Sequence, residues 1–219
     1  MEFERFPKIA RLSREMIVTE KIDGTNSLVF IDELDACSPM RPVTAIVGGL
    51  VLHVGSSKRW MTPENDHFGF AAWVRDNAEE IALLGTGRHH GEWWGSGIQR
   101  GYGLPKGERR WSLFNTKRWH APGDSPREFA PLDPREPPKV TTQTPPCVGV
   151  VPVLYQGLFD TETALDYLEQ LRCDGSHALP GFGAPEGIVV FHVAGNVAFK
   201  ATLEGDGVPK SMKAQEPKW

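Results

Sequence analysis

The sequence predicts an α+β fold, because short β-type runs dominate it and only two stretches have the periodicity of a helix. Gly and Pro contribute 23 and 18 of the 219 residues, a density of turn-forming residues that argues against an all-helical fold. The runs that predict strands are apolar, and most are bounded by Gly, Pro, Asn or Asp. In chain order they are residues 16–19, 28–31, 43–47, 50–54, 148–154, 188–193 and 197–201.

The first predicted helix follows Thr62 as its N-cap, has Pro63 at its first position, and ends at Gly85. Apolar residues recur within it at helical spacing: Phe70, Trp73, Val74, Ile81 and Leu84.

The second predicted helix begins at Asp160 or Thr161 and ends around Asp174 and Gly175. Leucines recur within it three residues apart, at positions 165, 168 and 171.

A proline-rich segment separates the two halves of this pattern. Eight prolines lie between residues 122 and 146, too many for a ladder or a helix, so the sequence predicts a long insertion loop over about residues 120–147. Because the α+β pattern continues after the loop, residues 1–203 are expected to form one domain. Residues 204–219, with lysines at 210, 213 and 218, are expected to be a short C-terminal tail without a separate folded domain.

Composition restricts the possible partners and the compartment. The formal net charge is −4, so the chain lacks the positive field of a non-specific nucleic-acid coat protein, and any such contact must be local. The three cysteines, Cys37, Cys147 and Cys173, form no CxxC pair, which argues against a disulfide framework or a zinc ribbon. With no signal peptide and no apolar run of about 18 residues, we expect a cytoplasmic protein that makes no membrane contact.

The first segment that indicates chemistry is Glu-Lys-Ile-Asp-Gly-Thr-Asn at residues 20–26. Lys21 ends an apolar run and precedes an Asp-Gly turn, so its side chain is presented at a strand end. Taken alone, the pattern also fits a solvated lysine beside a hairpin turn. Other segments must therefore decide between the two interpretations.

Four further segments follow in order. They are His-Gly-Glu-Trp-Trp-Gly at residues 90–95, Trp-Ser-Leu-Phe-Asn at 111–115, Pro-Glu-Gly-Ile-Val-Val at 185–190 and Phe-Lys at 199–200. Together the five segments resemble the covalent nucleotidyltransferases, the superfamily of ATP-dependent DNA ligases, RNA ligases and mRNA capping enzymes. The amino-acid sequences of the first and second segments are most similar to those of the phage-type RNA ligases that seal nicked duplex RNA. The resemblance covers about residues 16–203.

The resemblance implies a nucleotidyltransferase (adenylation) domain of two largely antiparallel sheets with flanking helices and a nucleotide cleft between them. It also implies an ATP-dependent RNA ligase that forms a covalent lysyl-AMP and uses Mg²⁺ or Mn²⁺. RNA ends are the expected partner in preference to DNA ends, and the protein is expected to be a monomer. Because no second domain is expected, a helper protein or a domain supplied in trans is one way to complete sealing.

Three residues take catalytic roles by this resemblance. Lys21 would be the nucleophile that becomes adenylylated, Glu186 would hold the metal, and Lys200 would grip the α-phosphate. A lysine attacks only as the free amine, and nearby positive charge together with partial burial favours that neutral form.

The resemblance also implies a nucleotide-binding set. Glu20 would lie against the adenine edge, Glu92 would accept from the ribose hydroxyls, and Phe114 would stack on the purine. Arg59 would contact the nucleotide or the 5′-phosphate end. The full set is Glu20, Asp23, Gly24, Asn26, Arg59, Glu92, Phe114 and Lys200. Ordinary alternatives are an exposed strand-end Glu92, a core Phe114 and a solvated Lys58-Arg59 pair.

Two positions depart from the family pattern. Phage-type RNA ligases often have His where this chain has Asp23, and many relatives have a second lysine where it has Ala198. The alternatives are therefore a DNA nick ligase, a capping-type guanylyltransferase, or a nucleotide- or end-binding module that does not seal.

Basic residues around the third segment form the best candidate surface for a polynucleotide: Arg100, Lys106, Arg109, Arg110, Lys117 and Arg118.

Strand parity provides a geometric check. If residues 188–193 and 197–201 form a hairpin with Gly195-Asn196 as a two-residue turn, Phe191 faces Lys200 and Glu186 points to the opposite side of the sheet. For Glu186 and Lys200 to share a site, the loop must have an odd count or the strand must contain a bulge.

Overall fold

The structure, a computed structural model, describes residues 9–34, 41–130 and 135–204. The chain divides into two compact units. One unit takes the residues up to Ile22 and from Pro152 onward, and the other comprises Asp23–Val151.

Most of the regular secondary structure among the described residues is β-strand, and there are three helices. In chain order the strands are β1 (Glu15–Lys21), β2 (Thr25–Glu33), β3 (Ala45–Val47), β4 (Leu50–Ser56), β5 (Trp60–Met61), β6 (Gly87–Gly95), β7 (Arg109–Leu113), β8 (Trp119–His120), β9 (Glu128–Phe129), β10 (Lys139–Val140), β11 (Thr142–Gln143), β12 (Val148–Val150), β13 (Val153–Leu158), β14 (Gly187–His192) and β15 (Val197–Thr202). The helices are α1 (Phe70–Asp76), α2 (Ala78–Ala82) and α3 (Thr161–Asp174).

The first unit contains an antiparallel sheet in the order β13-β1-β14-β15. Its core forms where alternate residues of β1 and β14, among them Met16, Val18 and Ile188, are buried against Leu168 and Leu171 of α3. Each fully buried aliphatic side chain contributes about 1.5–3 kcal/mol relative to an exposed one, so α3 fixes which face of the sheet is closed. The opposite face carries the remaining residues of these strands.

The second unit contains a sheet in the order β12-β7-β6-β2-β4-β3, with β5 paired to β4. The β12–β7 pair is parallel and the others are antiparallel. Alternate residues such as Val29, Leu52 and Trp111 are buried in one core with the apolar residues of α1 and α2. The prediction of a strand-rich α+β chain is confirmed, and both sheets are largely antiparallel. The nucleotide cleft stays a prediction.

Six of the seven predicted strand runs each overlap one strand. The exception is the run at residues 148–154, which divides into β12 and β13. Pro152 lies at the division and has no backbone N–H to donate to a continuous ladder. The break is also the boundary between the two units.

The predicted start of the first helix was wrong. Thr62 forms an isolated bridge with Asn65, whose backbone N–H reaches the Thr62 hydroxyl at 3.3 Å, and the helical turns begin only at Phe70. Asn77 then interrupts the predicted single helix and separates α1 from α2.

The second predicted helix is confirmed as α3. The Asp160 carboxylate accepts from the Thr163 N–H at 2.8 Å, as an N-cap residue does, and Gly175 ends the helix with φ 83°.

The proline-rich loop contains more pairing than predicted. β9 pairs with β10, and β8 pairs in parallel with β11, each over two residues. None of these strand residues is proline, so short ladders form between the prolines although a long one cannot. Residues 131–134 of the loop lie outside the described residues.

The domain prediction for residues 1–203 stays a prediction. All but the first residue of the predicted tail lies outside the described residues, as does Cys37. Among the helices that the structure describes, none has both the length and the apolar character needed to cross a membrane.

Candidate functional site

Lys21 lies at the end of β1, where the strand leaves the core of the first unit. Its ammonium Nζ pairs with Oε2 of Glu186, the residue immediately before β14. The two side chains are only 24% and 20% exposed. The structure therefore brings together two of the three predicted catalytic residues in a partly buried ion pair.

Lys200 projects from the same face of this sheet as Lys21. In the register Lys21 pairs with Gly187, two residues before Val189, and Val189 pairs with Lys200. Directly paired residues share a face, and so do residues two apart along a strand. This face is opposite to the one covered by α3, and Lys200 is exposed on it.

The β14–β15 loop has four residues, 193–196, and the register between the two strands has no shift, so the prediction of an odd loop count or a bulge was wrong. The Gly195 N–H donates to Nδ1 of His192 at 2.9 Å, and Asn196 adopts the left-handed region with φ 49°, which together close the longer loop. Val189 rather than Phe191 thus faces Lys200, but the parity is unchanged.

Regular alternation would still turn Glu186 toward the α3 face. Gly187 explains why Glu186 reaches Lys21 instead. Its φ is 155°, and a Cβ at this position would lie 2.2 Å from the backbone oxygen of Ala201. The irregular glycine separates Glu186 from the pleat of β14, although the Glu186 carbonyl still accepts from the Leu203 N–H at 3.0 Å.

Glu20 faces the other way from Lys21, as alternation requires, and is 1% exposed. Its carboxylate accepts from the Ser176 hydroxyl at 2.6 Å and from the backbone N–H groups of His177 and Ala178, each at 2.8 Å. These three donors belong to the segment that follows α3. The Glu20 side chain therefore anchors that segment in the first unit, and its predicted contact with adenine stays untested.

Asp23 belongs to the second unit, where Arg100 donates from Nε to its Oδ2 at 3.1 Å. The backbone N–H of Asp23 donates to the buried Tyr102 hydroxyl at 2.8 Å. Tyr102 and Gln99 adopt positive φ values of 52° and 44°, which non-glycine residues rarely do. The loop that contains Gln99, Arg100 and Tyr102 therefore has a strained backbone and binds Asp23 through two hydrogen bonds.

Gly24 and Glu92 form a second contact in this unit. The Gly24 N–H donates to Oε1 of Glu92 at 3.1 Å, and Asn26 pairs with Glu92 across the β2–β6 register. A Cβ on Gly24 would lie 2.5 Å from the backbone oxygen of Trp93, so only glycine fits here without a shift.

The remaining predicted residues of this unit differ in their surroundings. Glu92 is 7% exposed and therefore is not a solvated strand-end residue. Phe114 follows β7, is 40% exposed, and donates its backbone N–H to the His90 carbonyl at 3.0 Å, so it is not an ordinary core residue. Arg59 lies exposed in the turn between β4 and β5, where its carbonyl accepts from the Ser56 N–H at 2.8 Å.

The two neighbouring histidines have different environments. His89 is buried, with Nε2 2.9 Å from the Gly85 carbonyl, whereas His90 is exposed on the other face. Burial is the main cause that lowers the pKa of His89, and nearby Arg118 acts in the same direction. Burial followed by the charge of Arg88 lowers the pKa of His90.

Much of the predicted basic surface is engaged locally. Arg109 donates to the Phe68 and Ser96 carbonyls, and Arg110 pairs with Glu108. Arg118 donates to the Leu84 carbonyl, and Arg100 holds Asp23. These side chains are therefore poor candidates for one continuous polynucleotide surface.

Sequence reasoning missed the partners that hold the predicted residues. Tyr102 gave no periodic or motif signal, and Arg100 was assigned to a basic surface. Glu20 directly follows an apolar run that predicts a buried strand, and this signal could have suggested that hydrogen-bond donors surround its carboxylate. It could not identify Ser176 as one of them. Among the described residues, no three His, Cys, Asp or Glu side chains are grouped so as to hold a metal by themselves.

Comparison with models of protein families identifies one family. A family model described as RNA ligase matches residues 14–202. No curated protein sequence matches the chain. Among solved structures, the chain is similar to the Naegleria gruberi RNA ligase R4a K121A mutant in its apo form, with 18% identity and a TM-score of 0.49. That match covers 87% of this chain and 50% of the solved one, so this chain spans about half the length of that protein.

Proposed function

The chain belongs to the RNA ligase family, and from this premise we propose that it joins RNA ends with ATP through a lysyl-AMP intermediate on Lys21. The observation that carries the proposal is the placement of Lys21 at a strand end, in contact with Glu186 and on the same sheet face as Lys200.

In the first step the Lys21 amine attacks the α-phosphorus of ATP. An N–P bond forms, the bond to the departing pyrophosphate oxygen breaks, and the amine loses a proton. Lys21 is paired with the Glu186 carboxylate and attacks only as the free amine, so reaction requires that this ion pair opens and that the proton leaves. The charge of Lys200 would offset the negative charge that develops on the α-phosphate.

A divalent cation fits this arrangement. Mg²⁺ in phosphate-transfer sites is commonly held by one or two carboxylates together with substrate phosphates and water, so it does not need a cage of protein ligands. Glu186 offers one partly exposed carboxylate and would hold Mg²⁺ or Mn²⁺. The ion would supply charge neutralisation for the phosphates.

In the second unit, Glu92 would accept from the ribose hydroxyls and Phe114 would stack on the purine face. The buried acceptor and the partly exposed ring suit these roles. Asn26 and Arg59 complete the nucleotide-binding set, with Arg59 directed at phosphate. Asp23 and Gly24 connect this set to the segment that carries Lys21.

Sealing requires two further transfers. The 5′-phosphate of an RNA end attacks the phosphorus of lysyl-AMP, which breaks the N–P bond and forms a diphosphate that joins AMP to the end. The 3′-hydroxyl of the other end then attacks the 5′-phosphate, forms the phosphodiester bond, loses its proton and releases AMP.

The test is incubation with α-labelled ATP and Mg²⁺, followed by a chase onto nicked RNA or DNA duplexes. We expect label on the wild type and on Lys139→Ala, a change to an exposed lysine, and none on Lys21→Ala. Labelled Lys21→Ala protein would refute the lysyl-AMP proposal. Labelling by GTP in place of ATP would select a capping-type enzyme, and sealing of DNA in preference to RNA would select a DNA nick ligase.

One observation favours a second candidate, a module that charges Lys21 but does not seal. Ala198 lies two residues before Lys200, exposed on the same face, where many relatives have another lysine. Label that transfers to the protein but produces no sealed RNA, unless a second protein is added, would support this candidate.

A further inference from the structure

The face of the second sheet that is opposite to α1 and α2 carries a cluster of rings and guanidinium groups. We call it the arginine–aromatic strip and define it by five residues: Phe30, Arg41, His53, Trp60 and Arg88. In the register Phe30 pairs with His53 of β4 and with Arg88 of β6, so these three side chains lie side by side across the sheet.

The guanidinium groups lie over the rings. Cζ of Arg41 is 4.6 Å from the centroid of Phe30 and 5.9 Å from that of Trp60, and Cζ of Arg88 is 5.5 Å from Phe30. The Phe30 and His53 rings are stacked at 5.9 Å, and Trp60 meets both. A guanidinium over a ring stays planar and leaves its edge N–H groups for an outside acceptor.

Other contacts keep the strip in place. Nδ1 of the buried His53 is 2.8 Å from the Pro42 carbonyl, which holds the chain next to Arg41 against the sheet. Asp32 lies 3.9 Å from Arg41, and both side chains are partly exposed, so this surface pair is weak. Within the described parts of the chain, no carboxylate pairs with Arg88, which is exposed.

The strip shares its sheet face with the proposed nucleotide-binding residues. Phe30 is four residues along β2 from Asn26, and both have the same parity. Arg88 is likewise four residues along β6 from Glu92. At about 3.4 Å per residue, four residues span about 14 Å, on the order of four nucleotide steps of a helical strand.

We propose that the arginine–aromatic strip binds the sugar–phosphate backbone of the polynucleotide, a few nucleotides from the end that is activated. The inference rests on the proposed function and gives it a substrate surface. Arg41 and Arg88 would donate to phosphate oxygens, and the partly buried Trp60 would offer a ring face or edge to a base or sugar. In a chain of net charge −4, two planar cations on a rigid aromatic base are suited to repeated phosphates.

The experiment measures binding of a nicked RNA duplex, and of the same duplex in DNA, over a series of salt concentrations. For Arg41→Ala/Arg88→Ala we expect affinity to fall by about tenfold or more, equally for two unrelated sequences. The slope of log affinity against log salt should decrease by about two, since two phosphate contacts are lost. Arg41→Lys/Arg88→Lys keeps the charge without the stacked plane and should recover part of the affinity.

The matched control is Arg75→Ala/Arg172→Ala, which removes two exposed arginines that lie on helices and are not part of the strip. The control should keep wild-type affinity, and thermal unfolding should show that both double variants are folded. Unchanged affinity and salt slope in Arg41→Ala/Arg88→Ala, for RNA and for DNA, would overturn the inference.

Labelling of Lys21 by ATP without RNA separates this inference from the proposed function. Wild-type protein that takes no label contradicts the proposed function, whereas the binding series still tests the strip. Label on both the wild type and Arg41→Ala/Arg88→Ala, with weaker RNA binding only in the latter, supports both.

Discussion

Nε of Arg100 lies 3.1 Å from Oδ2 of Asp23, so an arginine 77 positions later in the chain holds the carboxylate of the first sequence segment. Both side chains are 25% exposed. The pair is maintained by a loop in which Gln99 and Tyr102 have positive φ. Such strain persists only where surrounding contacts determine the conformation, and it is frequent at functional sites.

Arg100→Ala should slow the labelling of Lys21 by about 10- to 100-fold, because a small displacement of a positioned group has effects of that size. Arg100→Lys should recover part of the rate. Single-turnover labelling with α-labelled ATP measures the effect, and Arg110→Ala, which removes an arginine paired with Glu108, is the control. Equal rates in Arg100→Ala and wild type would show that the pair has no part in the first step.

Glu20→Ala should destabilise the protein by about 2–5 kcal/mol, because it leaves a hydroxyl and two backbone N–H groups without their acceptor. Urea unfolding measures the loss. Glu33→Ala, at the exposed end of β2, should change stability by less than about 0.5 kcal/mol. A loss for Glu20→Ala as small as that of the control would mean that these three bonds contribute little.

Gly24→Ala should both destabilise the protein, by about 1–3 kcal/mol, and reduce labelling, since the new methyl group would meet the Trp93 carbonyl and the Glu92 side chain. Gly183→Ala is the matched change, because a Cβ there would meet nothing within 4 Å. Thermal unfolding and labelling of both variants test the prediction, which fails if they behave alike.

Stability should decrease as the pH falls below about 6.5, because burial lowers the pKa of His89 from its ordinary value of 6.5 in the folded state. Below pH 6.5 the unfolded chain protonates His89 while the folded chain keeps it neutral. The contribution of neutral His89 to stability is therefore complete above pH 6.5 and is lost as the pH falls toward the lowered pKa. His89→Gln should flatten this dependence in urea unfolding at pH 7.5 to 5.5, a window chosen to span about one unit on either side of 6.5. The less buried His90 provides the comparison through His90→Gln, which should flatten it less. An unchanged slope in His89→Gln would assign the dependence to other groups.

Local sequence patterns correctly predicted an element when the residues that start and end it lie within the same short segment. Helix α3 follows from a capping aspartate, spaced leucines and a terminal glycine, all of which are local in sequence. The sheets follow from apolar runs between turn residues. The first helix was placed too early because Thr62-Pro63 is a good local start signal, yet Thr62 instead bridges to Asn65.

The sites were less predictable because their contacts join distant residues. Lys21 and Glu186 could each be identified as chemically important, but their contact depends on the irregular Gly187, which no periodicity reveals. The Tyr102 hydroxyl beneath Asp23 depends on a left-handed tyrosine, a conformation that local preference disfavours. The family resemblance identifies the candidate site residues. The residues that hold them in position are determined by tertiary contacts between distant parts of the chain.

Lys200 lies on β15, the outermost strand of its sheet among the described residues, and residues 197–200 are all exposed. An uncovered strand edge can recruit a strand from another molecule, and a lysine on that edge discourages such pairing. Removing the ammonium would therefore leave Val197 and Phe199 beside an unprotected edge and promote self-association. Loss of activity in Lys200→Ala can be assigned to phosphate chemistry only after size-exclusion chromatography shows that the variant has the same oligomeric state as the wild type.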